Sequence, residues 1–339
     1  MEKYFNYQKI CQDLLKDLPE RTKEVISRRF GLERPTSVGY PERETLESIG
    51  ESHGITRERV RQIGEDGFLR LKLKAKNYQP PFQYFIDQLK TTGNLKKEET
   101  LLNLLGGQKF QNQVYFLLTL GEPFERFSEN KDFYSLWSIK KEAITLAQKF
   151  INSTLKTFEK RGKPLSCEEL FKTQKAEFPE ISNKNILHSY LEISKKILQN
   201  SEELFGLKDW PEINPRGVKD RAYLVFKQAN TPLHFTEVTR LIGQSALVQT
   251  VHNELIRDPR FVLVGRGLYA LNEWGYQPGV VKDVISKVLK EAKKPLTKRK
   301  ILEKVLKQRL VKENTILLNL QDKKYFLRDS QGKYKIKEA

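Results

Sequence analysis

The sequence predicts a mainly α protein with small β-hairpin wings, in which an N-terminal helix-turn-helix is followed by tandem winged-helix modules. Three observations carry this. Two short, separately capped helical stretches meet at Gly54. The run Arg260 to Leu271 alternates apolar residues and turns over at Gly265-Arg266-Gly267, the pattern of a β-hairpin. A Pro-Leu pair returns at Pro164-Leu165, Pro232-Leu233 and Pro295-Leu296, its prolines 68 and 63 residues apart, and such a near-fixed period reads as stacked modules.

The N-terminal module comes first. Thr45 suits the cap of one helix, Gly54 the left-handed turn after it, and Thr56 the cap of the next. On that second helix Arg57, Glu58, Arg61 and Gln62 share one face, and Val60 and Ile63 lie opposite, toward a core. Arginine grips guanine bidentately, glutamate accepts from the cytosine amine, and glutamine pairs with adenine. Four such side chains at the N-terminal end of a capped helix are what a helix in a major groove needs. A solvated helix with an Arg–Glu ladder is the other reading of the same charges. Thr45, Thr56 and Arg59 stand where backbone phosphates would be met.

Asn77-Tyr78-Gln79-Pro80-Pro81 is expected to break the long helix of residues 56–72 and its basic continuation, and to serve as a linker. The clearest repeat follows from Val218 to Tyr276. A helix through Ala222–Phe226 leads to Pro232-Leu233, expected to open a second helix over Glu237–Ile242. A third helix starts near Ser245 and runs through Leu255, and the hairpin closes the unit. Hairpin ends recur at Phe133–Trp137, Leu204–Trp210, Leu268–Trp274 and Lys333–Ile336. A first unit lacks the Pro-Leu mark but has helix-like runs over Phe82–Leu89, Glu98–Leu105 and Gln113–Leu120. The expected modules are residues 1–78, 79–140, 141–215, 216–278 and 279–339.

The chain of 339 residues carries 61 basic and 43 acidic side chains, a formal net charge of +18. Residues 279–339 alone hold 18 basic and 7 acidic groups, a net +11. A polyanionic partner follows. Candidate phosphate contacts are Arg257 and Arg266 at a helix end and hairpin tip, and Lys294, Lys298, Arg299 and Lys300 in the basic last module, beside Lys293. Arg260 sits next to Asp258 and reads equally as a surface ion pair. Tyr134, Trp137, Trp210, Tyr269 and Trp274, at the hairpin ends, are expected to pack between elements rather than stack on bases. No long apolar run, leader or lipidation motif is seen, so a soluble protein of the bacterial cytoplasm, associated with the nucleoid and not with a membrane, is expected.

Two segments resemble known families. From Leu14 to Lys72, the runs Leu18–Leu32, Thr45–Gly50 and Thr56–Ile63 resemble region 4 of bacterial sigma factors, which reads the promoter −35 element. The resemblance implies base contacts at Arg57, Glu58, Arg61 and Gln62. It also implies docking on the flap of core RNA polymerase, for which Leu14, Leu18, Val25, Ile26 and Phe30 are candidates; packing in the module's own core is the competing role. A sigma factor also carries an upstream region that melts the −10 element. Because the region 4-like stretch begins near the N-terminus, a chain that does not initiate alone is expected. The third repeat resembles the HARE-HTH winged helix of the RNA polymerase delta subunit, through Ala222-Tyr223, Pro232–Glu237, Val251–Leu255, Asp258–Val262, Gly265–Tyr269 and Trp274. That resemblance implies either DNA contact or docking on polymerase.

Nothing in the sequence points to an enzyme. Cys11 and Cys167 have no Cys or His companions, and Cys167 reads as a packed hydrophobe. The histidines His53, His188, His234 and His252 match no metal spacing, and neither Gly106-Gly107 nor Gly265-Arg266-Gly267 sits in a phosphate-loop context. No cofactor, metal or small-molecule ligand is expected. The leading expectation is a DNA-binding transcription regulator that acts with RNA polymerase on a −35-like element in double-stranded DNA. The alternatives are a delta-like polymerase accessory protein with little sequence preference, and a DNA-binding protein unconnected to polymerase.

Overall fold

The computed structural model describes residues 5–33, 42–243, 246–276 and 279–337. Tyr40 and Pro41, which precede the helix-turn-helix, and Ser245, expected near a helix start, lie outside the described residues. The chain divides into two compact units, Met1–Lys208 and Asp209–Ala339.

The first unit opens with α1 (Tyr7–Leu15), α2 (Glu20–Phe30), α3 (Leu46–His53) and α4 (Arg57–Ala75). Their ends are set by local chemistry. The Thr45 hydroxyl accepts from the Ser48 amide at 3.1 Å and the Thr56 hydroxyl from the Arg59 amide at 3.2 Å, each satisfying a first-turn donor. Gly54 closes α3 at φ +62°, a left-handed position that a side chain would strain. Val25, Ile49 and Val60 are buried together where α2, α3 and α4 meet.

There follow α5 (Gln79–Thr91), β1 (Leu95–Lys97), α6 (Glu98–Gly106), α7 (Gln111–Leu120), β2 (Glu125–Phe127) and β3 (Leu136–Ser138). The same order returns as α8 (Lys141–Arg161), β4 (Leu165–Ser166), α9 (Cys167–Gln174), α10 (Lys184–Glu192), β5 (Ile197–Gln199) and β6 (Leu204–Leu207). In the second unit it appears as α11 (Gly217–Ala229), β7 (Leu233–His234), α12 (Phe235–Ile242), α13 (Val248–Arg257), β8 (Phe261–Gly265) and β9 (Leu268–Leu271). A last copy comprises α14 (Val281–Ala292), β10 (Leu296–Thr297), α15 (Lys298–Leu306), α16 (Glu313–Leu320), β11 (Phe326–Arg328) and β12 (Lys333–Ile336). In every copy the last strand lies between the other two, and both pairings are antiparallel.

Two expectations need correction. The Pro-Leu pairs do not open the second helix; each leucine starts the short first strand, pairing as Leu165↔Phe205, Leu233↔Tyr269 and Leu296↔Tyr334. Proline has no N–H to donate, so it belongs just ahead of the ladder. In the first copy Leu95 takes the same place without a proline, pairing with Ser138.

The second correction concerns Asn77–Pro81, which is not a free linker. Pro80 and Pro81 occupy the first turn of α5, where a missing N–H costs no helical bond. One continuous core then runs across the supposed boundary. It joins Leu14, Ile26, Phe30 and Leu71 to Phe85, Leu101, Phe116 and Trp137.

The first two copies are also locked together. The Tyr190 hydroxyl donates to the Gly93 carbonyl at 3.0 Å, and burial raises that phenol's pKa to about 12. Glu192 at the end of α10 accepts from Lys96 Nζ and Thr100 Oγ1, both at 3.0 Å. Gly93 allows the contact: a Cβ there would lie 2.7 Å from Ile186 and 2.8 Å from Tyr190.

Candidate nucleic-acid interface

The approach of α3 to α4 depends on Gly50, since a Cβ at that position would sit 2.7 Å from the Ile55 carbonyl oxygen. The approach of α2 to α4 depends on Gly67 in the same way, against Thr22 and Ile26. A charged clamp fixes the start of α3. Arg28 on α2 grips Glu44 with Nε to Oε1 at 2.8 Å and Nη2 to Oε2 at 2.7 Å, and reaches Ser52 Oγ at 2.7 Å. The bidentate hydrogen bond from Arg28 holds the Glu44 carboxyl below the usual carboxylate range. Sequence reasoning missed Arg28, Glu44, Gly50 and Gly67. Partners 16 residues apart and a clash with a backbone oxygen leave no local pattern.

On this frame the four expected base-reading side chains do fall on one exposed side of α4, while Val60 is fully buried behind them. They also pair among themselves. Arg61 donates to Glu58 through Nε at 2.9 Å and Nη2 at 2.7 Å, and through Nη1 to Glu65. Gln62 donates to Glu58 at 3.3 Å, and Arg57 lies 3.9 Å from Glu47. The Arg61 hydrogen bond lowers the Glu58 pKa. The ladder foreseen for this face is present, and Arg57, Glu58, Arg61 and Gln62 stay exposed within it. Surface pairs of this kind are worth little, so they exchange readily for a stronger partner.

Thr45, Thr56 and Arg59 are exposed beside this face. In the second unit Arg257, Arg266, Lys294, Lys298, Arg299 and Lys300 are exposed too. Arg260 is not available. It bonds Asp258 at 2.6 Å and Asp220 at 2.8 Å and lies over the Tyr223 ring at 5.0 Å, so the ion pair foreseen with Asp258 has a second acid.

Of the aromatic residues at the hairpin ends, Trp137, Tyr269 and Trp274 pack inward, and Tyr134 and Trp210 are half-buried. Trp137 is buried with its Nε1 donating to Glu98 Oε2 at 3.0 Å, Tyr269 is buried, and Trp274 packs 6.3 Å from Phe226.

Of the two roles considered for the apolar residues in and between α1 and α2, flap docking and core packing, the fold gives core packing. Leu14, Leu18, Val25, Ile26 and Phe30 are all buried. From α7, Phe116 lies 5.3 Å from Phe30 and 6.0 Å from Phe68, covering that side of the bundle from within the chain.

Among the described residues no group of three His, Cys, Asp or Glu side chains could hold a metal ion, and no helix is long and apolar enough to cross a membrane. Cys11 is buried, and burial pushes its thiol pKa well up.

The stretch that builds this face has known relatives. Residues 14–73 match the family model of Sigma-70, region 4. Over 63 residues the chain is 40% identical to the RNA polymerase principal sigma factor HrdD of Streptomyces griseus, covering 19% of this chain and 17% of that protein. It is 45% identical over 69 residues to the RNA polymerase sigma factor sigB of Arabidopsis thaliana, covering 20% and 11%. It is 37% identical over 65 residues to HrdD of Streptomyces viridifaciens, covering 19% and 18%. These matches thus span less than a fifth of each relative's length.

Proposed function

We propose that this chain is a DNA-binding transcription protein that works with RNA polymerase and reads a −35-like promoter element through α4. One observation carries the reading. Arg57, Glu58, Arg61 and Gln62 share an exposed face of a helix capped at Thr56 and approached through left-handed Gly54, inside the stretch that matches Sigma-70 region 4.

The four helix–strand–helix–helix–strand–strand copies are, on this proposal, winged-helix modules with boundaries near residues 79, 141, 216 and 279, the third of them HARE-HTH-like. None of their third helices duplicates α4. α7 is packed into the first core, and α10 into its neighbour. α13 and α16 are more exposed but carry no cation before Arg257 and none at all, respectively. Reading of sequence therefore rests on α4, and the other modules add scaffold and phosphate contacts.

The test is a titration of promoter-like and scrambled duplexes at one salt concentration. Preference for one sequence supports the reading; equal affinity for both sinks it.

A second reading, a polymerase-bound accessory protein, draws support from α13. Leu247 and Val248 at its start and Ile256 near its end are exposed apolar side chains, suited to protein rather than to phosphate. Affinity capture after nuclease treatment separates the two. Core polymerase subunits retained without any sequence preference in the titration would favour the accessory role.

A further inference from the structure

The third and fourth copies are joined by a brace that no sequence pattern announces. The segment after α15 runs along the outer edge of β8, where the Leu310 amide donates to the Val264 carbonyl at 3.1 Å. Arg309, only 5% exposed, sends its Nη1 to the Leu263 carbonyl beside it. Burial lowers the pKa of that guanidinium, yet arginine keeps its charge in proteins, so the brace holds a buried cation on backbone oxygen. Gly265 makes room, since a Cβ there would meet the Leu310 carbonyl at 3.0 Å. The β8 edge is thereby covered, and the hairpin tip that follows it is fixed against the last module.

What the brace aligns is charge. On α15 and its C-cap, Lys300, Lys304 and Lys307 recur at i, i+4 and i+7, one face of the helix, and all three are exposed; Ile301 and Val305 are buried on the other side. That lysine face leads into the braced segment. Arg266 is exposed on the hairpin tip next to Gly265, and Lys312 is exposed two residues beyond Leu310. Of these five cations only Lys307 has an acidic partner among the described residues, Glu303 at 3.4 Å.

We infer that the third and fourth copies form one phosphate-binding surface for double-stranded DNA, running along Lys300, Lys304 and Lys307 and across the brace to Lys312 and Arg266. This rests on the nucleic-acid reading above and adds to it a second, sequence-blind site. Arg309 is a positioning residue in it, too buried to reach a phosphate.

The experiment uses the full chain and two duplexes, one preferred and one scrambled, titrated over a range of salt. Replacing Lys304, Lys307 and Lys312 together by alanine should flatten the slope of log affinity against log salt by roughly 0.9 for each phosphate no longer neutralised, equally on both duplexes. Arg309→Met, which leaves every exposed cation in place, should also flatten the slope. If that variant fails to fold, Leu310→Pro, which removes the bridging N–H and fixes the backbone at that position, serves instead. An unchanged slope in the triple variant overturns the surface, as does a loss confined to one duplex. A wild-type slope in the brace variant overturns the claim that the two copies act as one. Preference for one duplex that survives all these changes leaves the α4 reading intact; absence of both preference and slope in the wild type sinks the nucleic-acid reading itself.

Discussion

α4 and α15 both face outward with basic side chains, but they manage their charge in opposite ways. On α4 three of the arginines meet acids: Arg57 meets Glu47, Arg61 meets Glu58 and Glu65, and Arg70 meets Asp66 at 3.0 Å, while Arg59 bonds the neutral Gln62. On α15, Lys298, Arg299 and Lys300 crowd the first turn, with no acid there and no ion pair among the described residues. Cations at that end oppose the helix dipole, which costs about 0.3–1 kcal/mol each at exposed positions. A self-paired helix gives up its weak pairs when it meets a phosphate, so its net gain is smaller than that of an unpaired one. Its arginine and glutamate must trade one well-oriented partner for another, which rewards the right base. An unpaired, electrostatically strained helix has nothing to trade and gains from any polyanion. On the proposed reading, discrimination falls to α4 and bulk affinity to α15.

The largest effect should come from the platform under α4, because that platform extends past the stretch shared with the sigma factors. Phe116 on α7 is completely buried between Phe30 and Phe68. Phe116→Ala should destabilise the first unit by about 3–5 kcal/mol, read from chemical denaturation followed by far-ultraviolet circular dichroism. The α15 surface should bind scrambled DNA as before wherever the second unit stays folded. A denaturation midpoint equal to the wild type would mean that α1–α4 stand without α7.

Next in size is the reading face itself. Arg57→Ala should cost roughly 1–3 kcal/mol on the preferred duplex and relax preference at one position, with little change on scrambled DNA. Alanine at Lys298, Arg299 or Lys300 should do the reverse. Affinity should fall alike for both duplexes, and the salt slope should drop by roughly 0.9 for each phosphate left without its cation. Competition binding with both duplexes reads both results. If Arg57→Ala weakened all DNA equally, or an α15 change altered preference, the division of labour would be wrong.

How much of this is legible in the sequence depends on the range of the interaction. The caps at Thr45 and Thr56, the turn at Gly54 and the face of Arg57, Glu58, Arg61 and Gln62 are set within a few residues, and the sequence carries them openly. The alternation around Gly265-Arg266-Gly267 is equally local and becomes β8 and β9. The Pro-Leu marks are visible but point to a helix start instead of a strand, since a two-residue strand has no period of its own. The shared core of α1–α7 is hidden, because Phe30 and Phe116 look like ordinary core residues of two separate modules. Arg309 sits in a run of charged residues and reads as solvated; only its burial against Leu263 distinguishes it.

The smallest expected effect tests the clamp that holds α3 and therefore α4. Glu44 titrates below the ordinary glutamate value of about 4.3 because Arg28 favours its charged form. A carboxylate with a depressed folded pKa contributes stability above its unfolded pKa and loses it as pH falls through the folded value. The first unit should therefore weaken on acidification below about pH 4.3, and preference for the promoter-like duplex should fade before scrambled binding does. Glu44→Gln removes that step: lower stability at neutral pH, and a flatter acid limb in denaturation midpoints measured from about pH 7 to about pH 3. An identical acid limb in wild type and Glu44→Gln would show that the Arg28–Glu44 pair does not hold α3. Discrimination by α4 would then rest on the Gly50 contact and the buried Val25–Ile49–Val60 cluster alone.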